Sequence, residues 1–230
     1  NRILYDYPKS ALLYNVRGVI YAETKNFEAA IDDYKKALAI QPSFKGPYYN
    51  LANILKNLVF TSDRSDLYAV MRTILTGNYI NPIELAKPTI SILKHNKTVK
   101  DFLIGDFTTM SKTSLISLIS RLANQELLLT LMRASPIPDL EIELPLQKIR
   151  RSLLMLSHEL TGEESVLKFL SALSHQCYIN EYIYQVTDME LVAAEALNKK
   201  VDGMISSGNG PDPLEILCLT CYKPLNMYTW

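Results

Sequence analysis

Cysteine is scarce in this chain, glycine is scattered, neither sign of charge is in excess, and no apolar run is long enough to cross a bilayer. Three cysteines in 230 residues cannot pair without leaving one over, which argues against a disulfide framework and for a reducing compartment, the cytoplasm by default. Lys plus Arg and Asp plus Glu stand at 24 each, so no net field draws the chain to nucleic acid or to an anionic membrane surface. The eight glycines fall singly apart from Gly208 and Gly210. No glycine-rich turn follows a strand, and a cofactor or nucleotide cradle is therefore not expected. Runs of alternating residues are missing as well, which makes a sheet improbable. The first residues, "NRILYDYPKS", have neither an initiator Met nor the layout of a signal peptide, and they read as the middle of a longer protein.

Helical periodicity is abundant, and 48% hydrophobic residues are enough to bury a full core. In residues 12 to 42, Val16, Val19, Ile20 and Ala22 fall on one helix, and Ala29, Ala30, Ile31, Tyr34, Ala37, Leu38 and Ile40 on a second. Spacings of three and four put each set on one stripe. "TKNF" is the polar break between the helices, and Pro42 ends the second because proline cannot continue the ladder. The pattern repeats at 34 residues: Pro8 and Pro42, Tyr14 and Tyr48, Gly18 and Ala52, Tyr21 and Leu55.

Tyr14, Gly18, Tyr21, Ala30, Tyr34, Ala37 and Pro42 resemble, in order, the signature of the tetratricopeptide repeat. Arg17 departs from it, standing where the family usually places Leu. The following unit begins well with "KGPYYNLANILKNL" and then fails, since Arg64 and Met71 occupy positions where small residues let the second helix close on the first. "NRILYDYP" looks like the tail of a preceding repeat. The resemblance implies an all-α fold of helix hairpins stacked as an α-α superhelix over residues 1–60, continuing into an irregular helical bundle. It also implies a concave groove lined by the first helix of each hairpin, at Leu12, Asn15, Val19, Ala22 and Glu23, then Gly46, Tyr49, Asn53, Lys56 and Asn57. Asn15, Val19, Glu23, Tyr49, Asn53, Lys56 and Asn57 are the residues expected to hold a protein or peptide, because asparagine can donate to and accept from an extended backbone at once. The family variant that clamps a terminal carboxylate is not matched, since Asn15 and Val19 replace its Lys and Asn, although Asn50 fits.

Residues 61–230 read as helices throughout, forming an accessory bundle packed on the repeats. Asn81 and Pro82 open one helix, with Pro88 expected to bend it. Breaks fall at "SPIPDLE" and "SSGNGPDP". From about residue 60 onward the chain resembles the region that separates tetratricopeptide repeats from an S-adenosylmethionine-dependent methyltransferase domain in certain bacterial proteins, most visibly in "QCYINEY", Gln176 to Tyr182. That resemblance implies a regulatory or substrate-recruiting segment of a transferase whose catalytic domain lies beyond this chain; similar repeats also precede sulfotransferases and glycosyltransferases. The expectation for the chain itself is a non-catalytic binding scaffold.

Sharper chemistries compete with bland ones. His175, Cys177, Cys218 and Cys221 have the donor types of a zinc site, but "EILCLTCY" also reads as an apolar helix face on which cysteine is a small hydrophobe. Glu181 among Tyr178, Tyr182 and Tyr184 suits either a general base or a buried, hydrogen-bonded carboxylate. Lys148, Arg150 and Arg151 make a small basic patch or a solvated helix face. The bland reading is favoured for the first two and explains the third equally well, and no metal or catalytic residue is expected.

Overall fold

Ser10 begins the ordered array: its hydroxyl accepts the Leu13 N–H at 3.4 Å and opens α1 (Ala11–Glu23), while the Asn26 side chain accepts from Ala29 and opens α2 (Phe27–Ile40). Between them Lys25 takes a left-handed φ of 60°. Its N–H reaches Ala22 O and that of Asn26 reaches Tyr21 O, a Schellman closure that turns the chain back on itself. Ala30, Ile31, Tyr34 and Ala37 are buried in the hairpin. A methyl group at Gly18 would lie 2.6 Å from the Tyr34 ring, which is why this position takes no side chain. The structure, a computed structural model, describes residues 5–107, 110–160 and 162–228. Tyr5 and Asp6 are helical and the rest of the expected preceding tail, residues 1–4, lies outside the described residues.

The departure at Arg17 is answered across the hairpin by Asp33. Arg17 grips Asp33 with two bonds, Nε to Oδ2 at 2.5 Å and Nη2 to Oδ1 at 2.7 Å, and its guanidinium lies over the Tyr14 and Tyr21 rings at 5.5 and 5.8 Å. Asp33 is buried. A planar fork stacked on aromatic faces and paired with a carboxylate fills the place of an aliphatic side chain.

α3 (Lys45–Leu55) packs on α1 and α2 and buries Leu51, Ala52 and Leu55. Its partner then starts late, after a loop and a 3-10 turn (Ser65–Leu67), as the short α4 (Tyr68–Thr76). Met71 is fully buried in α4, filling space that a closer approach of two small-residue faces would remove. Arg64 lies outside any helix and ties the loop to α2, bonding Glu28 at 2.9 Å and Asp66 at 2.9 Å, with Lys35 on Asp66 at 2.5 Å. Hydrogen bonding from Arg64 and Lys35 outweighs desolvation and holds Asp66 at about 2.

The array continues through α5 (Pro82–Leu93), α6 (Lys97–Leu103), α7 (Lys112–Ala123), α8 (Glu126–Ala134), α9 (Leu140–Met155), α10 (Glu164–Ile179), α11 (Asp188–Ser206) and α12 (Pro213–Thr220). The fold is all-α, with no strand among the described residues. Asn81 caps α5, Pro82 takes its first turn and the helix runs on through Pro88. α8 is central, packing on α4, α5, α7 and α10, and α10 in turn packs on α7 and α12. Leu127 to Leu129, Leu131 and Met132 of α8 are all fully or almost fully buried. One apolar cluster runs from Ala30 to Tyr228. Among the described residues no single helix is long and apolar enough to cross a membrane; α7 and α8 reach that composition only as a pair bent by 80°.

Three expectations for this half are corrected. α9 starts at Leu140, inside the expected break "SPIPDLE", because Asp139 accepts the Ile142 N–H at 3.3 Å and the helix carries Pro145 inside it. α10 ends at Ile179, so "NEYIYQ" is not helical: Glu181 and Tyr182 have φ of 53° and 58°. Finally, Arg150 does not belong to a solvated face. It is 2% exposed and meets Glu190, itself 0% exposed, at 2.9 Å. Glu190 also accepts from Tyr222 Oη, from Thr187 N–H and from Arg151 Nε, and Arg150 stacks 4.5 Å from the centre of the Tyr222 ring. Glu190 therefore closes the capping box of α11 and joins α9, α11 and the segment after α12 in one buried network.

Candidate functional site

The stacking of α1 against α3 leaves a groove of about 260 Å³ beside the first hairpin. Spacing along α1 brings Val19, Ala22 and Glu23 to one wall, and spacing along α3 brings Asn50, Asn53 and Asn57 to the other. Phe27, Tyr34, Ile54 and Leu58 complete an apolar floor. Of the seven residues expected from the sequence, Val19, Glu23, Asn53 and Asn57 line this groove.

The other three are engaged nearby. Asn15 Oδ1 accepts from Asn50 Nδ2 at 3.0 Å, a strut between α1 and α3. Tyr49 leans toward the turn before α5, its ring edge-on to Tyr79 with centroids 5.0 Å apart and its hydroxyl 3.5 Å from Asn78 O. Lys56 pairs with Glu84 of α5 at 3.4 Å. Asn50 entered the sequence reading only through a specialised clamp pattern, and Phe27, Tyr34, Ile54 and Leu58 were missed as groove residues. They sit at helix ends or on the buried stripe, where periodicity signals core rather than the floor of an opening.

Asn57 Nδ2 donates to Asn53 O at 3.1 Å, which leaves Asn57 Oδ1 and the whole Asn53 amide without a partner among the described residues. Glu23 makes no ion pair among them either. Burial, with the charges of Asp33 and Glu23 adding to it, pushes the Tyr34 phenol up to about 12, so the floor stays neutral. The arrangement presents two amides and one carboxylate over apolar side chains. It can bond an extended backbone and accept a donor, but it holds no nucleophile and base within reach of each other.

Residues 11–44 match the tetratricopeptide repeat family. Over those residues the first hairpin is similar to a tetratricopeptide repeat. Its match ends where α3 begins, so the repeat supplies one wall of the groove and the helix stacked on it supplies the other. No curated protein and no solved structure matches the chain.

The remaining candidates are dispersed. His175 is exposed while Cys177, two positions on, faces the core, because neighbours at that spacing point away from each other on a helix. Cys177, Cys218 and Cys221 are free and buried. Among the described residues no three His, Cys, Asp or Glu side chains gather as metal ligands. Desolvation pushes the Cys218 thiol up to about 12 and the Cys221 thiol well above its ordinary value, the opposite of an activated cysteine. Glu181 is exposed; the buried, hydrogen-bonded carboxylate expected there is Glu190 instead. "SSGNGPDP" is the loop in which Gly208, at φ 78°, closes α11 and Asp212 caps α12.

Proposed function

We propose that the chain is a binding scaffold whose groove between α1 and α3 holds an extended segment of a partner protein. The observation that carries this reading is the set of polar groups without a partner among the described residues, the Glu23 carboxylate, the Asn53 amide and Asn57 Oδ1, over an apolar floor at the stacking edge of the repeat-like hairpin. Amides that can donate and accept match the alternating N–H and C=O groups of an extended peptide. Asn15, Tyr49 and Lys56 act indirectly, fixing how α1, α3 and α5 sit. Residues 61–230 serve as the bundle that covers the apolar face a single repeat leaves open, in keeping with the need of stacked repeats for about three units or a cap. Three buried free thiols suit a reducing compartment such as the cytoplasm.

The test is a peptide selected against the chain from a display library, titrated into parent and Asn53→Ala. Loss of one hydrogen-bonded amide from a partly desolvated site weakens binding by about 1 kcal/mol, roughly fivefold. Equal affinity for the two proteins would move the working face elsewhere.

A further inference from the structure

At the far end of the chain α10 finishes in an unusual way. Glu181 N–H bonds Tyr178 O at 3.0 Å and Tyr182 N–H bonds Cys177 O at 2.9 Å, the Schellman pattern whose left-handed residue is ordinarily glycine. α11 closes with the same two bonds and uses Gly208, at φ 78°. α10 uses Glu181 at φ 53° and then adds a second left-handed residue, Tyr182 at φ 58°. Each costs on the order of 1 kcal/mol relative to a relaxed backbone. Local folding does not require a glutamate and a tyrosine there.

That strained turn aims its side chains into an open cleft of about 570 Å³, lined by Tyr178, Tyr182, Tyr222, Glu181, Lys223 and Met227. Tyr178 and Tyr182 stand edge to face, 6.5 Å between centroids. Tyr222 is a fixed wall, its hydroxyl on Glu190 and its ring under Arg150. The Glu181 carboxylate has no partner among the described residues, and neither it nor Tyr178 is buried. Lys223 Nζ sits 4.0 Å from the centre of the Tyr228 ring, on the rim, and has no carboxylate partner among the described residues. Aromatic faces beside a carboxylate attract a poorly hydrated organic cation, and the ammonium group of Lys223, which lies on the Tyr228 ring with no carboxylate partner among the described residues, calls for an anion at the ligand's other end.

From the strained turn, the three tyrosine rings, and Glu181 and Lys223 that have no ion-pair partner among the described residues, we infer that this cleft binds a small quaternary-ammonium zwitterion, with its methylated cation among Tyr178, Tyr182 and Tyr222 beside Glu181 and its anionic group at Lys223. The site is separate from the groove between α1 and α3 and does not depend on it. Calorimetric titration of the whole chain with glycine betaine tests the assignment, with tetramethylammonium as the cation alone and acetate as the anion alone. Betaine is expected to bind saturably, tetramethylammonium about fivefold or more weakly, and acetate not at all. Tyr178→Ala, at an exposed ring, should weaken betaine about tenfold. Glu181→Gly should weaken it as much without lowering the melting temperature, since glycine suits the left-handed position; that variant separates lost binding from lost folding. Phosphocholine and sedimented phosphatidylcholine vesicles distinguish a free solute from a lipid headgroup, and retention on the vesicles would identify the headgroup as the source of the same chemistry. Absence of saturable betaine binding, betaine binding unchanged in both variants, or tetramethylammonium binding as tightly as betaine would overturn the inference.

Discussion

Restoring the family residue at Arg17 should damage the protein. Arg17→Leu removes both bonds to Asp33 and leaves a carboxylate whose side chain is 2% exposed. Removing one partner of a buried pair costs about 3–5 kcal/mol. Two features lower that figure here: the Arg17 side chain is itself 24% exposed, and Lys36 Nζ remains 3.9 Å from Asp33. The expected loss is about 2–3 kcal/mol, or roughly 5–10 °C in melting temperature for a chain of this size. Urea denaturation followed by far-ultraviolet circular dichroism reads it directly. Replacing both residues by leucine should recover most of the loss, because an apolar pair of similar volume has no charge to strand. A single Arg17→Leu variant as stable as the parent, or a double variant no better than the single, would refute the view that the hairpin depends on this pair.

Gly18→Ala places a methyl group 2.6 Å from the buried Tyr34 ring and should cost about 1–3 kcal/mol by overpacking, measured in the same denaturation series. The Glu190 carboxyl is raised by desolvation, but bonds from Thr187 and Tyr222 and the charge of Arg150 outweigh it and hold it at about 2 against an ordinary 4.5. Its contribution, up to about 3 kcal/mol, is present above pH about 4.5 and is lost as pH falls from there toward 2; urea midpoints should decline over that window, and Glu190→Gln should flatten the decline while lowering stability at neutral pH. All three cysteines are buried, so a thiol-reactive dye should label none in the native state and all three in denaturant; rapid native labelling of Cys218 or Cys221 would contradict their burial.

The first hairpin was legible because its determinants are local: small residues at Gly18, Ala30 and Ala37, caps at Ser10 and Asn26, and a proline after α2. Helices with strong stripes, such as α7 and α8, were legible for the same reason. What escaped depends on partners distant in sequence. Arg17 reads as a defect until Asp33 is seen beside it, and Arg150 reads as surface until Glu190, on another helix, is found to neutralise it. The end of α10 was hidden because its left-handed turn carries Glu181 where a glycine would have announced a stop. In the groove, Val19, Glu23, Asn53 and Asn57 followed from repeat geometry, while Asn15, Tyr49 and Lys56 were diverted by Asn50, Tyr79 and Glu84, contacts that no single-helix pattern encodes.

The proposed seat of a partner segment is the α1–α3 groove. Paramagnetic broadening from a spin-labelled, display-selected peptide, read on the amide resonances of the whole chain, locates that segment most directly. Broadening should centre on Val19, Glu23, Asn53 and Asn57 and disappear when the unlabelled peptide is added in excess. Broadening centred instead on α2, or confined to residues beyond 60, with α1 and α3 untouched, would contradict the account.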